Sequence, residues 1–189
     1  MTKLWLVRHG PTHAKSMVGW SDVPADLSDT AAIARLRAFL PDAPVVSSDL
    51  IRASATADAL APALRLPHDP LLREINFGAW ELQTFAEVEA NDPHTIRAYW
   101  DTPGHVAPPG GESWNAVRDR VDRAVDRYLA DGHGNLVIVA HFGVILTQVQ
   151  RALGIGAYEA FNHRINNLSV TVLEHSTTGW STHHINHTP

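Results

Sequence analysis

The chain has 189 residues, of which 44% are hydrophobic and 19% charged, a composition typical of one globular domain and not of a disordered or fibrous protein. Its formal net charge of -5 argues against nucleic acid or an anionic membrane as a partner, because both require a basic face. The chain has no cysteine, which excludes disulfides, thiolate metal sites and cysteine nucleophiles.

The apolar segments are too short for export or for membrane insertion. The N-terminal run lacks the length and the small-residue cleavage site of a signal peptide. The longest run, 136–146, is interrupted by His141 and is shorter than the ~18 residues that a membrane span needs. We therefore expect a cytoplasmic protein.

Short apolar runs and amphipathic segments alternate along the chain. The apolar runs predict strands at residues 4–7, 45–46, 136–140, 168–173 and 180–185. The amphipathic segments predict helices at residues 31–40, 50–61, 112–130 and 143–153. Ser47, Ser48 and Asp49 are candidate caps for the helix at residue 50, and Gly154 is placed to end the helix at residue 143.

This alternation predicts a three-layer α/β/α fold with a mostly parallel central sheet, in a single domain over residues 1–189. Residues 74–111 do not follow this alternation of strands and helices, because they are helical only in patches and then rich in Pro and Gly. We expect them to form an insertion or lid over one edge of the sheet.

Basic side chains follow the predicted strands. Arg8 and His9 come directly after the first strand, His141 after the third, and Arg52 in the first turn of the helix after the second. Because the carboxyl ends of parallel strands form the ligand crevice of α/β sheets, we expect these groups to converge. A phosphoryl group would offset their mutual repulsion, and the hydroxyl of Thr12 is a further candidate donor.

Two imidazoles at one phosphate predict two roles. A neutral imidazole is a nucleophile toward phosphorus, whereas a protonated one donates a hydrogen bond to developing charge. Each residue also has a structural interpretation: Arg52 could pair with Asp49 or Asp58 on the helix surface, and Thr12 could cap a turn.

Five segments carry a family resemblance: 6–12 (LVRHGPT), 47–53 (SSDLIRA), 72–81 (LREINFGAWE), 109–113 (PGGES) and 139–143 (VAHFG). In this order they resemble the histidine phosphatase superfamily, which includes the cofactor-dependent phosphoglycerate mutases. The resemblance implies a phosphoglycerate mutase-like fold, with His9 as the nucleophile that becomes phosphohistidine. It further implies a phosphate pocket of Arg8, Arg52 and His141, and Glu74 as the proton donor to the leaving oxygen.

The sequence departs from the family pattern at four places. Pro11 stands where the family often has an acidic residue or Gln, and Lys15 aligns with a phosphate-binding Asn. Phe142 replaces the first Gly after His141, although its backbone N–H remains available to phosphate, and Leu82 replaces a common Gly. None of these changes removes the nucleophile, the pocket arginines or the proton donor.

The implied function is a metal-independent phosphomonoesterase of the histidine acid phosphatase type, with no cofactor and a small phosphorylated metabolite as substrate. Phosphoglycerate mutase-type transfer is the alternative, which the chain's modest length disfavours because the mutases usually carry a longer insertion. A non-catalytic phosphate-binding scaffold is the third possibility. The sequence assigns no oligomeric state.

Two further groups of side chains have both a structural and a functional interpretation. His183, His184 and His187 crowd the C-terminus, but strand alternation directs the first two to opposite faces, so we interpret them as a surface cluster and predict no metal site. Three tryptophans are predicted to pack in the core or to line a substrate mouth: Trp20, Trp80 and Trp100.

Overall fold

Five strands form one mixed sheet, in a computed structural model that describes residues 1–189. They are β1 (Thr2–Arg8), β2 (Val45–Ser47), β3 (Asn135–Ala140), β4 (Val170–Ser176) and β5 (Gly179–His187), in the spatial order β2-β3-β1-β4-β5. Strands β1 and β2 run parallel to β3, β4 is antiparallel to β1, and β5 is antiparallel to β4. All strands except β4 therefore point the same way, which confirms the mostly parallel sheet.

Helices cover both faces of this sheet. One face carries α1 (Thr30–Phe39) and α2 (Ile51–Ala59). The other face carries α3 (Phe85–Asn91), α4 (Pro93–Asp101), α5 (Trp114–Ala130), α6 (Phe142–Leu153) and the short α7 (Ala157–Ala160). Alternation along β3 divides the core, because Ile138 faces the α5 and α6 layer whereas Val139 faces the α1 and α2 layer. The predicted three-layer fold is confirmed.

Residues 74–111 contribute to the larger core. They contain a 3₁₀ turn, Gly78–Trp80, followed by α3 and α4, and their apolar side chains pack with α5 and α6. Trp80 and Tyr99 are fully buried there and meet edge to face, with ring centroids 5.6 Å apart. Whether this segment also acts as a lid stays a prediction.

The predicted caps are partly wrong. Gly154 ends α6 in the left-handed conformation, with φ of 64°, as predicted. At the start of α2, however, the backbone N–H of Ile51 donates to the carboxylate of Asp22, which comes from a distant loop. Asp49 binds Arg73 and does not cap the helix. Of the three predicted caps only Ser48 acts at this end, where its hydroxyl accepts from the backbone N–H of Leu50 at 3.2 Å. The next N–H, that of Ile51, is bound by a carboxylate that the tertiary fold brings in.

Candidate active site

His9 and His141 lie side by side at the carboxyl ends of two adjacent parallel strands. The register of β1 against β3 pairs Arg8 with Ala140, so the next residue of each strand reaches the same edge of the sheet. The backbone N–H of His9 donates to the carbonyl of Ala140 at 3.1 Å, and the two imidazole centroids are 5.1 Å apart. His9 is 5% exposed and His141 is fully buried. The sheet therefore brings together two imidazoles that are 132 residues apart in the chain.

The His9 imidazole is fixed in one tautomer. Its Nδ1 lies 2.7 Å from the carbonyl oxygen of Gly10, which can only accept, so Nδ1 carries the proton and Nε2 keeps its lone pair. Asn167 donates to the carbonyl of His9, and Thr56 accepts from the backbone N–H of Gly10. Burial, together with the Arg52 and Arg8 charges, lowers the pKa of His9 to about 3. The hydrogen bond to Gly10 opposes this shift only in part. The ring is therefore neutral at pH 7.

The His141 imidazole has no hydrogen-bond partner within the protein at either ring nitrogen, although it is completely buried. Burial, followed by the charges of His9, Arg52, Arg120 and Arg8, holds its pKa well below the ordinary value. Buried polar groups without a partner are rare and costly. The side chain is therefore available to a group that enters the cluster.

Two guanidinium groups flank the imidazoles. Arg52, on the first turn of α2, is 1% exposed and donates to the carbonyls of Ser21, Val18 and Gly19 at 3.0, 3.4 and 2.6 Å. A guanidinium has five N–H donors, so two remain. Arg8 donates to the carbonyl of Ile165 at 2.6 Å, while its buried Nε has no partner. Desolvation lowers the pKa of both arginines, against the raising influence of the Glu74 carboxylate.

Glu74 adds a carboxyl group to the cluster, at the start of α6. Its Oε1 accepts from the backbone N–H groups of Ile75 and Gly143, each at 3.0 Å. A Cβ at position 143 would lie 2.4 Å from this oxygen, so only glycine permits the approach. Burial raises the pKa of Glu74, although these two hydrogen bonds and the Arg52 and Arg8 charges oppose the rise. A raised pKa favours the protonated carboxyl, which is the form that can donate a proton.

A loop beside the cluster is held by Arg52 and by Glu81, to which no role was assigned from the sequence. The carboxylate of Glu81 accepts from the backbone N–H groups of Gly19, Trp20 and Ser21, while Arg52 holds carbonyls of the same loop. The indole of Trp20 donates to the carbonyl of Glu74 at 2.8 Å. Trp20 thus lies at the site, whereas Trp80 belongs to the core. Asn167 was also missed, and no local pattern marks it.

The remaining predicted residues take different positions. Thr12 is half-buried in a loop, where its hydroxyl accepts from the backbone N–H of Ala14 at 3.4 Å, and it forms no hydrogen bond with the cluster. Lys15 is exposed. Phe142 begins α6 and its ring lies under the guanidinium of Arg8, 5.5 Å from the ring centroid to Cζ. The structure therefore brings together His9, His141, Arg8, Arg52 and Glu74, with Phe142 at the edge.

Comparison with known proteins places this fold and cluster in one family. The model of the histidine phosphatase superfamily, branch 1, matches residues 4–188. The chain belongs to the histidine phosphatase superfamily. An adenosylcobalamin/α-ribazole phosphatase from Salmonella typhimurium is 30% identical over 172 residues, which cover 86% of this chain and 85% of that protein. A mycobacterial glucosyl-3-phosphoglycerate phosphatase, solved with VO₃, superimposes with a TM-score of 0.85 at 29% identity, over 98% of both chains.

Another relative differs in length. A bifunctional protein of Mycobacterium tuberculosis is 34% identical over 196 residues, which cover 95% of this chain and 52% of that protein. The chain thus spans about half the length of this relative. The two phosphatase relatives, in contrast, match this chain over most of their length.

Metal binding and membrane insertion concern two further features of the structure. No three or more His, Asp or Glu side chains are grouped so that they could hold a metal ion. No helix combines the length and the apolar character that crossing a bilayer requires.

Proposed function

We propose that the protein is a phosphomonoester hydrolase that transfers the phosphoryl group of a small phosphorylated metabolite to His9 and then to water. The observation that carries the proposal is the His9 imidazole itself. It is neutral, its Nδ1 proton is bound to Gly10, and its Nε2 keeps a lone pair. The ring centroid lies 5.1 Å from that of His141, and the charges of Arg52 and Arg8 act on the ring. A neutral nitrogen nucleophile held beside cationic donors is what attack on a phosphate ester needs.

In the first step, the Nε2 lone pair of His9 forms a bond to phosphorus while the bond from phosphorus to the ester oxygen breaks. An alkoxide leaves poorly, so we assign to the protonated Glu74 carboxyl the donation of a proton to it. In the second step, water attacks phosphorus and the nitrogen–phosphorus bond breaks. Glu74, now ionised, accepts the proton of that water, so the enzyme returns to its starting state. Two lower barriers replace one high barrier.

The phosphoryl oxygens are held by donors that the protein leaves free. Arg52 retains two N–H groups, Arg8 retains Nε, and His141 retains both ring nitrogens. The repulsion between the two arginines and the imidazoles contributes to the low pKa of His9 and His141. An anion bound among these groups offsets that repulsion. Preorganised donors of this kind stabilise charge as it develops in the transition state.

The site is closed in this conformation, with His9, Arg52 and Glu74 at most 6% exposed. The loop that contains Trp20 lies beside it, held by Glu81 and Arg52. We propose that a substrate enters by displacing this loop, and that the loop and residues 74–111 select the alcohol. The names of the phosphatase relatives favour a phosphorylated metabolite over a phosphoprotein as substrate.

The test is rapid-quench trapping of phosphate on the protein during turnover of an aryl phosphate, with inorganic phosphate release measured in parallel. We expect acid-labile phosphate on the wild type, none on His9→Gln, and an unchanged amount on the control His184→Gln. Turnover that survives in His9→Gln would refute the nucleophile. Phosphate that appears on a second hydroxyl of a phosphoglycerate, with none released, would identify a mutase. If no ester in a broad panel leaves phosphate on the protein, the chain is a non-catalytic scaffold.

A further inference from the structure

A buried arginine grips the segment that carries Glu74. Arg120 lies on the inner face of α5 and is 6% exposed. Its guanidinium donates to the carbonyls of Leu71, Arg73 and Glu74 at 2.9, 2.7 and 2.7 Å. Its two remaining N–H groups donate to the two carboxylate oxygens of Glu112 at 2.7 and 2.9 Å. All five donors of the guanidinium are therefore used.

Glu112 holds the same segment one step further along. Its Oε2 accepts from the backbone N–H of Asn76 at 2.9 Å, and its own backbone N–H donates to the carbonyl of Asn76 at 2.8 Å. Residues 71–76 are thus bound on both sides of Glu74 by one ion pair. We call the pair Arg120 and Glu112 the clamp.

The segment needs the clamp because it has little regular structure of its own. Residues 73–77 belong to no helix or strand, so their carbonyls lack the partners that a helix or a sheet supplies. Arg120 provides those partners from 46 or more residues away in the chain. The backbone position of Glu74 therefore depends on the clamp, while the carboxyl is held by the backbone of Gly143.

We propose that the clamp is a positioning device for proton transfer, in which Arg120 and Glu112 set the place from which the Glu74 carboxyl reaches the leaving oxygen. The inference rests on the proposed function. Neither side chain of the clamp forms a hydrogen bond with His9 or His141. The charge of Arg120 lowers the pKa of His141, but a lysine at position 120 keeps that charge, so Arg120→Lys tests the hydrogen bonds that hold the Glu74 segment. Lysine cannot replace Arg120, because a single ammonium has three donors and lacks the planar fork that spans three carbonyls and a carboxylate.

The test uses leaving-group dependence. A nitrophenolate leaves without much protonation, whereas an alkoxide needs a proton from Glu74, so a misplaced Glu74 slows alkyl esters selectively. We expect Arg120→Lys to lower kcat/KM for an alkyl phosphate by about 10²-fold and that for 4-nitrophenyl phosphate by less than about 5-fold. Glu74→Gln gives the reference pattern, and Arg123→Met, an exposed change on the same helix, is the matched control.

A second readout is the pH profile of the alkyl ester reaction. A loosened segment lets water reach Glu74, so the alkaline limb in Arg120→Lys moves to lower pH, toward the ordinary carboxyl value. Arg123→Met keeps the wild-type limb. If Arg120→Lys does not fold, as judged by circular dichroism, Glu112→Gln takes its place with the same expected selectivity.

The outcomes separate the two proposals. If kcat/KM in a folded clamp variant falls equally for both esters, or for neither, the positioning role is overturned. The proposed function still stands in that case, provided that the wild type turns over and Glu74→Gln shows the selective loss. A wild type that forms no phosphohistidine would overturn the proposed function itself, and the clamp inference with it.

Discussion

The molecule has two clusters of imidazoles in contrasting environments. His9 and His141 are buried between arginines, and His141 has no partner within the protein. The second cluster lies on β5 at the protein surface. There His183 pairs with Glu174 at 3.1 Å, while His184 and His187 pack against the ring of Phe39.

The same residue type thus has the role of a proposed reactive group in one place and of surface packing in the other. At β5, the imidazoles have ordinary partners and lie on a strand with solvent access. At the ends of β1 and β3, burial excludes water, and the protein supplies no hydrogen-bond partner to His141. Its ring nitrogens are therefore available to a ligand. The comparison teaches that burial with unsatisfied hydrogen bonding, and not the number of histidines, marks the candidate site.

Removal of the unpartnered imidazole is expected to have the largest effect. His141→Leu deletes both ring nitrogens with little change of volume, and we expect kcat for an aryl phosphate to fall by about 10²- to 10³-fold, the range for loss of one transition-state donor. The triple variant His183→Gln/His184→Gln/His187→Gln is the control and stays within about twofold of the wild type, as surface changes usually do. A His141→Leu enzyme that keeps a tenth of wild-type kcat would remove the distinction between the clusters.

A methyl group added at Gly143, beside the buried cluster, is expected to have the second-largest effect on activity. In Gly143→Ala the new Cβ would lie 2.4 Å from Glu74 Oε1 and 3.0 Å from Ile75 Cγ1, so the carboxyl must move. We expect kcat for an alkyl phosphate to fall by about 10²-fold, because the proton donor is displaced. Gly134→Ala at the other end of β3 meets nothing within 4 Å and should retain full activity. Equal activities of the two variants in a steady-state assay would contradict the placement of Glu74.

The pH dependence of stability gives the smallest effect. Because the pKa of His9 is lowered to about 3 in the folded protein, the unfolded chain binds its proton first as the pH falls below about 6.5. This stabilisation is complete above that pH and is lost on acidification, by up to about 1.4 kcal/mol per pH unit. Urea unfolding between pH 7 and 4 should therefore show a shallower slope for His9→Gln than for the wild type.

The control for this measurement is His184→Gln, from the exposed cluster. Glu74, whose pKa is raised by burial, changes stability in the opposite sense and is present in all three proteins, so the difference between His9→Gln and wild type isolates the imidazole. Parallel pH curves for wild type and His9→Gln would show that the buried ring carries no such linkage.

Local patterns predicted the strands, the layers and the ends at which His9 and His141 stand, because apolar runs mark buried strands and the polar residue after each run marks its end. They did not predict the cap that Asp22 places on α2, nor the roles of Glu81 and Asn167. Arg120 carries a signal that could have found it, since it shares the inner face of α5 with Val117, Val121 and Ala124. An arginine at such a position implies buried acceptors, which the sequence does not name.

The sequence by itself determined the family, the order of strands and helices and the two imidazoles, because these depend on periodicity and on short contiguous motifs. Only the tertiary structure decided which donors stay free, how Glu74 meets Gly143 and why one arginine binds three carbonyls. Those properties depend on burial and on contacts between residues tens of positions apart. No local pattern records such contacts, since the free energy of a hydrogen bond depends on which groups the fold brings together and on whether water is excluded.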